Sequence, residues 1–252
     1  MLMIVGGIDL VPTIIGVLVL AAIATAALIA FRVPGRWTPA LAILRGALQL
    51  AVISVILTGI VTHPLWIGVA LLIMFGIATG VAVRRTGGGA HTVLIMATSI
   101  GAGAIASIGT VFATGALQPT PRYLLAIGAI LIGNSMSIAT LAGRRFTASV
   151  VDRWEEVEGW LALGATSRRS TLDLARRAVR EALIPSTDQT KTTGLVVLPG
   201  AFVGAIFGGL SPLEAGRFQI VVLAAIMAAG AITAVMIATW LGPVRTKPVL
   251  AA

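Results

Sequence analysis

Charge is missing from long stretches of this chain. Residues 10–31, 64–83, 92–117, 123–143, 192–213 and 218–244 contain no Asp, Glu, Lys or Arg, and 37–62 is interrupted only by Arg45. A helix rises about 1.5 Å per residue, so roughly 20 apolar residues cross the hydrocarbon core of a bilayer. The pattern therefore predicts an all-α integral membrane protein with seven transmembrane helices. The runs are continuous rather than alternating, which excludes a transmembrane β-barrel.

One sizeable segment breaks the pattern. Residues 144–191 read as a cytoplasmic piece of two short amphipathic helices. Trp154, Val157 and Leu161 recur at helical spacing, and Leu172, Ala175, Val179, Ala182 and Leu183 form a second stripe. Asp173, Arg177 and Glu181 stand four apart, the spacing of ion pairs on one helix face. Pro185 is expected to end the second helix. Leu163-Gly164-Ala165-Thr166 lies between the two, where glycine permits a sharp turn. Such a segment could be a connector lying on the membrane surface or a docking element for a cytoplasmic partner.

Composition agrees with the pattern. Of 252 residues 58% are hydrophobic and 11% charged, with a mean hydropathy of +1.03. A soluble domain of this length would carry far more surface charge. Basic residues set the expected orientation. Arg32, Arg36, Arg84, Arg85, nine residues between Arg144 and Lys191, Arg245 and Lys247 fall on one side if the N-terminus is outside and the C-terminus cytoplasmic. Only Arg122 and Arg217 fall on the other. The net charge of +9 then reflects topology and anionic membrane lipid rather than nucleic acid. There is no cysteine, hence no disulfide or thiolate metal site. The first run has no preceding Lys or Arg and no clear cleavage site, so it reads as a span rather than a signal peptide. The whole chain, 1–252, is expected to form one transmembrane domain containing the 144–191 segment.

Polar groups inside spans are costly and mark functional candidates. Arg45 and Gln49 share a face of the second span, where snorkelling towards the inner surface competes with a role in transport. Asn134 and Ser135 sit mid-way along the fifth, where interhelical hydrogen bonding is the alternative. Gln219, near the outer end of the last span, is expected to reach the interface. In the sixth, Pro199 predicts a kink or break at 199–200, and Gly200, Gly204 and Gly208 predict a face where another helix packs closely or slides. Interrupted helices mark substrate routes in transporters, so Pro199 and Gly200 are hinge candidates.

Spacing offers little support for metal chemistry. His63 and His91 fall at opposite ends of the predicted topology, and Asp9 and Glu214, both expected outside, are not paired by sequence. No phosphate-binding G-x-x-x-x-G-K-[ST] loop occurs, and "TGGGAHT" at 86–92 reads as a turn. No catalytic constellation is present, so the chain is not expected to be an enzyme by itself.

Glu158 and Gly164 have the spacing of the E-A-A-x-x-x-G loop of ATP-binding-cassette (ABC) importer permeases. Further, "PRYLLAIGAILIGNSM" (121–136), "VEGWLALGAT" (157–166) and "LVVLPGAFVGAIFGGLSPLEAGRFQI" (195–220) resemble the FetB-type (YbbM) permease family of ABC transporters, a likeness spanning nearly the whole chain. The resemblance implies a permease of the inner membrane that pairs, as two copies, with two separate ATPase subunits carrying the ATP and Mg²⁺. Bacterial members are implicated in iron export and plant relatives in aluminium tolerance. It implies that Glu158, Leu163, Gly164, Ala165 and Thr166 couple to the ATPase. Asn134, Ser135, Met136, Pro199 and Gly200 would line or hinge the path, with Arg45 and Gln49 as weaker candidates. Ala129-Ile130 departs from a family Gly-Met, and Ala201, Phe202 and Ala205 replace Met and Gln positions, removing soft or polar ligands while Met136 remains. The ligands of any metal stay unknown. A self-sufficient secondary transporter or channel for a small solute is the rival reading. It predicts inverted repeats or an acidic residue within a span, and neither is seen. A membrane scaffold that merely recruits a partner is a third.

Overall fold

The structure is a computed structural model that describes residues 4–5, 8–60 and 64–248, with side chains described for 11–54 and 64–248. Asp9, whose side chain falls outside this set, and His63 therefore lie outside the described residues as candidate ligands. The chain divides into two compact units, 1–62 and 63–252. In the first, a two-residue antiparallel pair, β1 (Ile4–Val5) with β2 (Ile8–Asp9), precedes helices α1 (Leu10–Ala30) and α2 (Thr38–Ile60), which pack on each other. Apart from that pair, the named elements are helical.

The second unit contains α3 (Pro64–Thr86), α4 (Ala90–Ala113), α5 (Pro121–Asp152), α6 (Trp154–Ala162), α7 (Ser167–Ser170), α8 (Leu172–Thr192), α9 (Gly200–Phe207) and α10 (Pro212–Leu241). Among the described residues, five helices are long and apolar enough to cross a membrane: α1, α3, α4, α5 and α10. The apolar part of α2 described in this way, Thr38–Ser54, is shorter. The run 192–213 is not one helix. Its helical part, α9, has 8 residues and is about 12 Å long, well short of the roughly 30 Å of a bilayer core. Pro199 caps its start, so the expected break is real and lies at that residue.

The core runs the length of the unit. Near one end Ile127, Leu131, Phe218, Val222 and Val111 cluster; Ile95, Met96, Ile100, Ile138 and Ile237 follow; Phe146, Val150, Val157, Leu174 and Ala238 close the other end. With Ala78 and Ala82 of α3 in the first and second clusters and Ala182 of α8 in the second, their order shows α3, α5 and α10 running one way and α4 and α8 the other. Helices α4 and α10 approach closely at Gly103, where an added Cβ would land on the Ala229 carbonyl oxygen and the Thr233 hydroxyl. Thr233, fully buried, donates from Oγ1 to the Ser99 carbonyl at 3.2 Å. A side chain at position 103 would displace backbone, which cannot move aside as the end of a flexible side chain can.

Sequence expectations shift in four places. An added Cβ at Gly200 or Gly204 would meet nothing within 4 Å among the described residues, so the expected close helix packing is not seen there, while Ala201 and Ala205 turn to the core. Gln219 is 4% exposed and does not reach the surface, because α10 is packed around much of its length. The helix at Pro185 continues to Thr192: the lost hydrogen bond is offset by packing of Ala182 and Leu183 against the core. The predicted i,i+4 ion pairs are replaced. Asp173 meets Arg176 at 3.2 Å, and Glu181 leaves its own helix to meet Arg145 of α5 at 3.4 Å.

Substituting Gly103→Val is expected to destabilise the purified protein by about 3 kcal/mol or more, read as a lowered midpoint of thermal unfolding in detergent. Gly109→Ala on the same helix, where an added Cβ meets nothing within 4 Å, leaves that midpoint within about 1 kcal/mol of wild type.

Candidate functional site

At the end of the bundle closed by Phe146 and Ala238, α5 gives way to a helix–turn–helix tip. Helix α6 is short because Leu163-Gly164 ends it. Gly164 adopts φ +86°, its N–H bonds to the Leu161 carbonyl at 3.0 Å, and the Ala165 N–H reaches the Trp160 carbonyl at 3.0 Å. These two bonds satisfy the last carbonyls of α6 in the glycine-terminated pattern that a left-handed residue permits. Thr166 then starts α7, its hydroxyl accepting from the Arg169 N–H at 3.3 Å.

The tip is apolar outward and anchored inward. Leu163 is 83% and Trp160 47% exposed, while Val157, one face away, is fully buried among Phe146, Val150, Leu174 and Ala238. Glu158 and Thr166 are exposed and Ala165 half-buried. Beyond the tip, Thr171 is fully buried and donates to the Gly242 carbonyl at 2.6 Å, and Arg168 donates to the Thr239 carbonyl at 3.2 Å. Both grip the C-terminal turn of α10, where unpaired carbonyls favour a donor and a cation. Val157 and Thr171 thus tie the tip to α5 and α10. Trp160, Arg168 and Thr171 were not singled out from sequence. The Thr171 tie spans 71 residues and leaves no local signal, whereas an aromatic on the polar side of the α6 stripe could have flagged Trp160.

The path candidates do not share one wall. Asn134 lines a cavity of about 140 Å³ between α5 and α8, with Ser137, Leu141, Pro185, Ser186 and Gln189. Its amide donates to the Ile130 carbonyl of its own helix at 2.8 Å. Ser135 is fully buried, with its hydroxyl unpartnered among the described residues, and half-buried Met136 packs on the core. Pro199 is buried and Gly200 exposed at the start of α9. Arg45 and Gln49 are exposed on α2 in the first unit. Nearer the tip, a larger pocket of about 550 Å³ is lined by Arg85, Arg144 and Arg145 with Ser137, Thr140 and Leu141. Among the described residues no three His, Asp or Glu side chains converge as a metal-binding group. Glu214 serves α10 instead, completing a capping box with Ser211.

The profile of a family described as "Uncharacterised protein family (UPF0014)" matches residues 11–244. The UPF0014 membrane protein STAR2 of Oryza sativa subsp. japonica is 37% identical over 200 residues, 77% of this chain and 69% of that protein. The UPF0014 membrane protein YjkA of Bacillus subtilis (strain 168) is 31% identical over 199 residues, 78% of this chain and 80% of that protein. A protein named probable iron export permease protein FetB, of Escherichia coli (strain K12), is 33% identical over 127 residues, 50% of this chain and 48% of that protein. No solved structure gives a significant match.

Replacing Thr171 by Val leaves the Gly242 carbonyl without this donor and is expected to cost about 1–3 kcal/mol. Hydrogen exchange of the detergent-solubilised protein should show faster exchange across 154–175 with α3 and α4 unchanged.

Proposed function

Because the chain belongs to the UPF0014 family of FetB-type membrane permeases, we propose that it is the permease subunit of an ABC transporter, driven by ATP hydrolysis on a separate ATPase subunit. On this reading two copies assemble with two ATPase subunits in the inner membrane. Each makes seven crossings, the sixth shared by α8 and α9 because α9 alone is too short, with its N-terminus outside and most basic residues inside. ATP and Mg²⁺ belong to the partner. The cargo, by analogy with the relative named for iron export, is iron or another metal moved outward.

The observation that carries the proposal is the α6–α7 tip. An exposed leucine and a half-exposed tryptophan flank a glycine turn whose other side is wedged into the ends of α5 and α10. Apolar and aromatic side chains at the centre of a small projecting surface are what a protein partner's groove desolvates. Closure of the ATPase pair would move this tip, and the buried Val157 and Thr171 contacts would convey the movement to helices that carry Asn134 and pack on α9. Pro199 and Gly200 would then absorb the change as a hinge. Glu158 and Thr166 would frame the tip with polar contacts, and Ala165 would keep its base thin. Arg45 and Gln49 are left as weaker path candidates, and Ser135 and Met136 would act by packing.

Co-expression with candidate ABC ATPases of the same genome, followed by pull-down on a tagged permease, tests this. Wild type should retain stoichiometric ATPase. Leu163→Glu should lose about tenfold or more of it with an unchanged unfolding midpoint, because Leu163 is 83% exposed among the described residues. Gly164→Trp should lose it too, through a strained positive φ. With the ATPase bound, Asn134→Leu and Pro199→Ala should each reduce ATP-dependent iron flux severalfold in vesicles. A folded wild type that binds no ATPase would move the self-sufficient transporter to the front.

A further inference from the structure

We infer that the C-terminal half of α8 is the wall of a water-filled passage reaching the middle of the membrane, with Asp188, Gln189 and Lys191 facing a hydrated, charged solute. Position in depth comes first. Helix α8 runs back along α5: Glu181 meets Arg145 at 3.4 Å, and residues 182–189 lie across the small cavity from residues 134–141. Asn134 is nine residues inside the last uncharged residue of its run, Gly143, or about 14 Å along the helix. That is close to half of a roughly 30 Å hydrocarbon core. Helix α10 independently places this part of α8 at least as deep. A Cβ at Gly230, near the middle of the uncharged run 218–244, would lie 3.4 Å from Leu183. Asp188 and Lys191 stand five and eight residues further along α8, at or beyond mid-depth.

Burial comes second. The Asp188 and Lys191 side chains are 63% and 71% exposed, touch each other only at 3.9 Å, and Gln189 is exposed beside them. Charges at this depth are strongly disfavoured against lipid and face either protein or water. The described residues leave most of both side chains uncovered, and water is the surrounding that fits such a pair. The backbone agrees. Helix α8 stops at Thr192 and α9 begins at Gly200, and the N–H groups of Val196 and Val197 both turn back to the Thr192 carbonyl. Irregular backbone at membrane depth is tolerated where it lines an aqueous cavity or is buried in protein. The two cavities adjoin, and Gln189 lines the smaller one, while Asp188 and Lys191, which line neither, stand on the exposed side of α8 next to it. Ser137 and Leu141 line both the small cavity and the arginine-lined pocket of about 550 Å³, which opens where the runs of α3 and α5 end. Solute would enter among Arg85, Arg144 and Arg145 and meet both signs of charge further in.

This inference needs only that the chain spans a membrane, and its test involves no ATPase. The natural sequence has no cysteine, so single-cysteine variants need no further background change. Asp188→Cys, Gln189→Cys and Lys191→Cys would be made separately and checked for a monodisperse profile in detergent. Leu72→Cys and Val235→Cys, exposed on the apolar faces of α3 and α10, serve as lipid-facing references, and Glu155→Cys as a reference in bulk water. Sealed vesicles of both orientations would be treated with a small, charged, membrane-impermeant maleimide and, separately, with a polyethylene-glycol maleimide of several kilodaltons. The expected result is labelling of 188, 189 and 191 by the small reagent at about ten times the rate of the lipid-facing references or faster, and exclusion of the large reagent, which still labels position 155. Labelling no faster than at positions 72 and 235 would overturn the passage by placing these residues in lipid or packed protein. Equal labelling by both reagents would overturn it by placing α8 in bulk water.

Discussion

The contact between α4 and α10 at Gly103 governs how the second unit is built. Between helices in lipid there is little hydrophobic drive, so association depends on close packing and interhelical hydrogen bonds. Gly103 lets the α10 backbone come close enough for the Thr233 hydroxyl to reach the Ser99 carbonyl. With α4 and α10 held together there, α10 also lies along α5 and α8. The candidate functional features of the unit are positioned by these helices: the tip at their one end, the cavities along α5, and the short α9 against α10.

The α6–α7 tip and the proposed passage lie on one return path of the chain. After α5 the chain turns through α6 and α7, and α8 carries it back along α5 instead of leaving into solvent. The Val157 and Thr171 contacts fix the near end of α8 to α5 and α10, while its far end is exposed and terminates in non-helical backbone. A packed near end and an exposed far end are consistent with the proposed role of carrying movement inward from the tip. The exposed ion pairs along α8 add little stability, as solvent-screened pairs do. The apolar stripe on its other face holds it in place.

Local features of the site were readable from residues alone. Gly164 required a turn, and its positive φ provides one; Pro199 required a break, and α9 starts directly after it. Trp154, Val157 and Leu161 at helical spacing belonged to one buried stripe, and they pack together in the terminal core cluster. Where local rules met tertiary packing, packing won. Pro185 should have stopped a helix, but burial of Ala182 and Leu183 on neighbouring helices carries it past the proline. Glu181 should have met Arg177 one turn away, but Arg145 is brought within 3.4 Å by a different helix.

By itself, the sequence determined that this is a multi-pass membrane protein of helices with a charged interruption, because uncharged runs of this length can satisfy their backbone groups in lipid only as helices. It also determined where that interruption must turn. Only the tertiary structure decided that the run 192–213 is a short helix rather than a full span. The same holds for the glycines at 200 and 204, which face outward, and for Asn134 and Ser135, which part company between a cavity and the core. The physical reason is that hydropathy reports what a segment can be surrounded by, whereas depth, facing and partner depend on contacts between residues far apart along the chain. Gly103 with Ala229 and Thr171 with Gly242 leave no trace in any local window.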